Sequence, residues 1–193
     1  MAAVELIVTV VVGYLLGSVP VARLATGRDL RTVGDRNPGY WNAKETLGRR
    51  AALPVFAGDV LKGAAAAGIG LLVAPPGGWW LGYVGGFAAM VGHAWPVFDR
   101  FRGGRSILTF VGAACVLSPL AALVSVVVLV SVTVARSFAW GARAGVFLFP
   151  VVQLVIEGPY RTAATGCLMT LIGVRFAQAA LSRTDDPATT ADA

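Results

Sequence analysis

Long apolar runs alternate with short polar stretches along this chain, and the runs are too continuous to be one face of a soluble helix. A bilayer hydrocarbon core of about 30 Å asks for about 20 helical residues per crossing. Residues 6–25, 51–74 and 79–98 meet that length. Residues 107–117 and 120–134 are shorter runs parted by Ser118 and Pro119, and residues 144–156 and 162–180 complete the set. The pattern predicts an all-α fold, a polytopic membrane helix bundle of about seven transmembrane helices. It forms a single transmembrane domain over residues 1–183, followed by a polar, acidic tail, 184–193, expected to be disordered. The residues before the first run hold Glu5 and no Lys or Arg, so the N-terminus lacks the basic start of a secretory signal and the run is expected to stay as a membrane helix.

Composition strengthens that reading. Hydrophobic residues make up 56% of the 193 and charged residues only 13%, and the mean hydropathy is +0.73. Soluble domains carry about 25% charged residues, so a soluble or disordered chain is excluded. The 16 Lys and Arg against 10 acidic residues give +6. With seven spans, Arg28, Arg31, Arg36, Lys44, Arg49, Arg50, Arg100, Arg102, Arg105, Arg136, Arg143 and Arg183 fall on one side, against Arg161 on the other. The positive-inside rule makes the basic side cytoplasmic, with the N-terminus outside and the C-terminus inside. The lipid bilayer therefore accounts for the charge, and no nucleic-acid partner is expected. Cys115 and Cys167 lie in apolar segments without metal-ligand spacing and read as small hydrophobes.

Two basic loops carry the candidate chemistry. In the first, residues 31–42, Gly34, Pro38 and Gly39 around Asn37 would turn backbone N–H groups toward one point, with arginines adding charge for a phosphate. A plain solvated turn would have a similar composition. In the second, Gly103 and Gly104 between Arg102 and Arg105, beside a helix start, offer backbone donors and cations. The competing reading is a positive-inside anchor with a flexible turn. His93 is the only histidine, placed to accept a proton, to donate to a phosphate, or merely to bond between helices. Asp59 and Lys62, three apart on one helix, are expected to pair inside the bundle. There is no GxSxG, CxxC, HExxH or Walker loop, and one histidine does not build a zinc site, so neither metal nor covalent catalysis is expected.

Four stretches, taken in order, carry a resemblance: GSVP at 17–20, RTVGDRNPGYWN at 31–42, GDVLKG at 58–63 and GHAWPVFDRFRGGR at 92–105. Together they resemble the bacterial acyl-phosphate:glycerol-3-phosphate acyltransferases, integral membrane enzymes that make lysophosphatidic acid. The likeness is good over residues 13–109 and weak beyond. Within the first motif this chain keeps Gly34, Asn37, Gly39 and Asn42 but carries Asp35, Arg36, Tyr40 and Trp41 between them. In the second, Arg102 and Arg105 stand where the family has lysines. The third motif falls at Ala139, Trp140 and Gly141, and the family's late His and Asn fall near Phe176 and Ala179.

The resemblance implies seven membrane helices, a site open to the cytoplasm of the bacterial inner membrane, and no cofactor or metal. The implied substrates are acyl phosphate and glycerol 3-phosphate, with an acyl-phosphate-producing enzyme as partner. On this reading the turn of Gly34, Arg36, Asn37, Gly39 and Asn42 would hold the acyl phosphate head. Arg102 and Arg105, with Gly103, Gly104 and Lys62, would hold the acceptor's phosphate, and His93 or Asp35 would take the proton. A carboxylate at Asp35 about 4 Å from a phosphate charge would cost ~4 kcal/mol at an effective dielectric of 20, unless a cation such as Arg36 compensates it. Two other readings stand beside this one: a non-catalytic relative binding anionic lipid or partners, and a small organic-phosphate transporter.

Overall fold

Prolines decide where the long helices stop. In the computed structural model, which describes residues 2–184, α1 (Ala2–Ser18) breaks before Pro20 and resumes as the short α2 (Val21–Thr26). A proline has no N–H to donate and disfavours helix for the residue before it. A 3-10 turn (Leu30–Thr32) and the short α3 (Tyr40–Leu47) then interrupt the polar stretch of residues 26–50. α4 (Arg49–Val73) and α5 (Trp80–Ala94) follow, and a second 3-10 turn (Val97–Asp99) begins after Pro96. α6 (Ile107–Leu117) and α7 (Pro119–Ala135) meet at Ser118, with Pro119 in the first turn of α7, where its missing donor costs nothing. α8 (Phe138–Glu157) and α9 (Pro159–Thr184) complete the described residues, among which there is no strand. Four stretches, Ala3–Thr26, Arg49–Val73, Phe138–Glu157 and Pro159–Ser182, are long and apolar enough to cross a membrane.

Two expectations move. α8 starts at Phe138, ahead of the apolar run that begins at residue 144. Its first turns mix aromatics with charge: Phe138 stacks on Trp41 at 5.4 Å, and the Arg143 guanidinium sits over the Trp140 ring. Such turns are stabilised at an interface although they break the apolar run. Thr184, expected to open the tail, is the last residue of α9, and the rest of that tail lies outside the described residues.

The bundle pairs α1 with α5, α4 with α5 and α6, and α7 with α8. Small residues bring α4 and α6 together: a side chain at Gly63 would strike the Thr109 carbonyl, and one at Gly112 the Val60 carbonyl. Close backbone approach of this kind replaces the hydrophobic drive that lipid does not supply. Met90, Phe110, Ala113, Leu117, Phe149 and Leu168 belong to the main core. A second cluster, Ala22, Leu30, Ala43, Ala52 and Val55, lies under the first basic loop and fixes it to the bundle.

Candidate functional site

The first elbow is a tied loop. Asp29 caps the 3-10 turn by accepting from the Arg31 backbone N–H, and its carboxylate meets the Arg31 guanidinium at 2.6 and 2.7 Å. Those side-chain hydrogen bonds from Arg31 hold the Asp29 carboxyl down at about 2, against an ordinary 3.8, and the Asp29 carboxylate in turn raises Arg31. Further on, the Asn42 amide donates to the carbonyls of Leu30, Val33 and Asn37 at 2.9–3.1 Å. Gly34, with φ of 58°, passes beside Asn42. Asn42 and Gly34 therefore shape the loop from within. At the tip, Asp35 Oδ1 accepts from the Asn37 N–H at 3.1 Å.

The second elbow folds back on the end of α5. The N–H groups of Gly103 and Gly104 donate to the carbonyls of Ala94 and His93, both at 3.1 Å. They are thus spent within the chain. Glycine is required for another reason: a Cβ at Gly104 would fall on His93 Nε2. From the other side, Arg175 of α9 donates to the Gly104 and Gly103 carbonyls at 3.1 Å each, with its guanidinium 5.0 Å from the Trp95 ring. Asp99, almost fully buried, takes Arg23 and Arg31 at 3.1 Å each, and Arg31 also donates to the Arg102 carbonyl.

The elbows meet. Arg105 Nη1 lies 3.0 Å from Asp35 Oδ2, so the cation that compensates Asp35 comes from the second elbow. Asn37 Oδ1 faces Gly104. Beneath this contact, Asp59 Oδ1 sits 2.9 Å from Lys62 Nζ and 3.4 Å from His93 Nδ1, all three buried. Lys62 also donates to the carbonyl of Val19, which precedes the proline break. A carboxylate on Nδ1 orients the ring, with Nε2 packed toward Gly104.

Three hollows surround that point. A small cavity brings Arg28, Lys62, Asp59, His93 and Arg102 together with apolar Val19, Pro20 and Leu30. A polar hollow holds Asp35, Arg36, Asn37, Gly103, Arg105 and Arg175. A mainly apolar groove runs past Tyr40, Trp41, Ile107, Phe138, Val146 and Phe176 and ends at Asn37, Gly39, Asp59, His93 and Arg105. Arg102 and Arg105, expected side by side on one phosphate, open into different hollows. Gly34 and Asn42 line none of the three. Among the described residues no group of three or more His, Cys, Asp or Glu is placed to hold a metal ion.

Arg175 and Asp99 were not singled out from sequence. Arg175 sits inside the last apolar run and Asp99 at the edge of a basic loop, where each reads as an isolated charge. An ionisable residue within an otherwise apolar span was the available signal.

Residues 7–183 match the protein family described as glycerol-3-phosphate acyltransferase. Glycerol-3-phosphate acyltransferase 3 of Dehalococcoides mccartyi (strain ATCC BAA-2266 / KCTC 15142 / 195) is 41% identical over 133 residues, 62% of each chain. The chain thus spans about three fifths of that relative's length. Glycerol-3-phosphate acyltransferase of Clostridioides difficile (strain 630) is 33% identical over 166 residues, 78% of each chain. Among solved structures, PlsY (YgiH), an integral membrane glycerol 3-phosphate acyltransferase, superposes in its glycerol 3-phosphate form with a TM-score of 0.76 at 28% identity. That match covers 90% of this chain and 88% of that one.

Proposed function

This chain belongs to the glycerol-3-phosphate acyltransferase family, and from that premise we propose that it transfers a fatty acyl group from acyl phosphate to glycerol 3-phosphate, forming lysophosphatidic acid for phospholipid synthesis. One observation carries the reading: His93 and Asp59 line both the small cavity that holds Arg28, Lys62 and Arg102 and the apolar groove. An acceptor hydroxyl and an acyl carbonyl arriving from the two sides would meet there. A PlsY structure of the same fold, described in its lysophosphatidic acid form, supports the same product.

Acyl phosphate is a mixed anhydride with a good leaving group, so positioning and charge stabilisation are the enzyme's main tasks. The acyl chain lies in the apolar groove with its phosphate on Arg105 and Asn37, and the acceptor's phosphate takes Arg102, Arg28 and Lys62. This divides the two second-loop arginines between the substrates, because they open into different hollows. The acceptor oxygen bonds to the acyl carbon, the bond from that carbon to the phosphate oxygen breaks, and inorganic phosphate leaves. His93 Nε2 accepts the hydroxyl proton, with Asp59 stabilising the charged ring. Asp35 is the weaker candidate for that proton, since its two oxygens already take Arg105 and the Asn37 N–H.

The seven longer helices cross the bacterial inner membrane, with the N-terminus outside, the C-terminus in the cytoplasm and the site facing the cytoplasm. The concentration of Arg and Lys around the two elbows supports that orientation. An enzyme that makes acyl phosphate is the expected partner. Purified protein given acyl phosphate and glycerol 3-phosphate should release inorganic phosphate and lysophosphatidic acid one for one. Absence of both products would favour a binding relative without turnover. Flux of glycerol 3-phosphate into vesicles without product would favour a transporter.

A further inference from the structure

We propose that Asp35 is a displaceable counter-anion: its carboxylate occupies Arg105 in the empty site and is exchanged for the phosphate of the acyl donor, so that Asp35 sets how tightly that subsite holds an anion. The inference rests on the reading of Arg105 as the donor's phosphate ligand.

Four carboxylates line the hollows, and they are held differently. Asp29 takes the Arg31 guanidinium on both oxygens and the Arg31 backbone N–H as well. Asp59 is buried between Lys62 and His93. Asp99 is 7% exposed and carries two arginines. Asp35 is 27% exposed, stands on a turn at the rim of an open hollow, and has one arginine and one backbone N–H as partners. It is the carboxylate with the least to lose on moving. Its partner is also the pertinent cation, since Arg105 lines both the open hollow and the polar end of the apolar groove.

Arg105 stays in place when Asp35 leaves. Its guanidinium lies 5.0 Å from the Phe176 ring, a contact that orients the fork independently of the carboxylate. An incoming phosphate thus finds a pre-aimed arginine and competes for it with the one carboxylate that pairs with it among the described residues. Two negative groups on one guanidinium repel, so the carboxylate either swings toward the open hollow or excludes the ligand. The chain weakens its own anion site in the empty state and keeps an unpaired guanidinium from gathering stray anions.

Inorganic phosphate titrated into the full detergent-solubilised chain at constant ionic strength reads this without turnover. Asp35→Asn should tighten phosphate binding about tenfold, and Asp35→Ser should do the same. Arg105→Gln should weaken it, and in the Asp35→Asn/Arg105→Gln double variant the gain should disappear. Unchanged or weaker binding in both folded Asp35 variants overturns the proposal. So does a gain that survives the loss of Arg105, which would make it a general charge effect. If the wild type makes no lysophosphatidic acid while the phosphate affinities follow this pattern, the proposed reaction fails and the counter-anion stands.

Discussion

α5 has a buried polar cluster at each end, and the two differ in what their atoms do. In its last turn His93 joins Asp59 and Lys62, and the group borders two hollows. In its first turn Tyr83 joins Gln153, Ser118 and Glu157. Gln153 Nε2 faces Tyr83 at 2.9 Å and Ser118 at 2.5 Å, and Ser118 donates to Glu157 at 2.8 Å. The second cluster ties α5, α8 and the α6–α7 break to one another. Burial of polar groups in a membrane bundle is therefore not in itself a sign of chemistry. What distinguishes the His93 end is that His93, Asp59 and Lys62 border hollows, whereas Tyr83, Ser118, Gln153 and Glu157 line none of the three described.

That contrast breaks most directly at His93. Its replacement by Gln should lower kcat by about 10²–10⁴-fold with the melting temperature almost unchanged. Turnover within a few-fold of wild type would remove His93 from proton transfer and make the two clusters alike. Next in size, Arg102→Gln should raise KM for glycerol 3-phosphate about tenfold or more, by loss of a charged hydrogen-bonding partner, with a smaller change in kcat. An unchanged KM would take the acceptor out of that cavity. At the opposite end, Gln153→Leu should cost stability, about 1–3 kcal/mol, while the folded fraction keeps its kcat. A collapse of kcat with stability intact would mean that the far cluster also serves the reaction.

The smallest effect belongs to Asp29. Its carboxyl is lowered from 3.8 to about 2 in the folded protein, so its pairing with Arg31 stabilises the first elbow fully above pH 4 and is lost as pH falls toward 2. Thermal unfolding of Asp29→Asn against wild type should show a deficit at pH 7 that narrows over that window. The side chain is over a third exposed, and solvent keeps the difference small. A deficit constant with pH would show that charge is not the cause.

Much of the helix pattern could be read from residue order. Pro119 after Ser118 marks the α6–α7 break, and the apolar runs fall on the long helices, because hydrophobic length and proline are local signals. α3 and the start of α8 escaped, since Tyr40, Trp41, Phe138 and Trp140 are interspersed with charges and make no apolar run. The two elbows were recognised by glycine and arginine content. Their meeting through Asp35 and Arg105, 70 positions apart, is set by how α4, α5 and α9 pack, which no local pattern encodes. The glycine pair shows the same limit from the other side. Its spacing suggests free backbone donors, whereas the fold has spent them on His93 and Ala94.

The fork of Arg175 on the two glycine carbonyls, with Phe176 beside Arg105, ties the meeting point of the elbows to the helix translated after all the others described. Synthesis proceeds from the N-terminus, at about 5–20 residues per second. A nascent chain therefore passes through a stage in which both elbows have emerged from the ribosome but the clamp that braces them has not. The brace arrives last, so the two elbows stay unclamped until α9 packs against them.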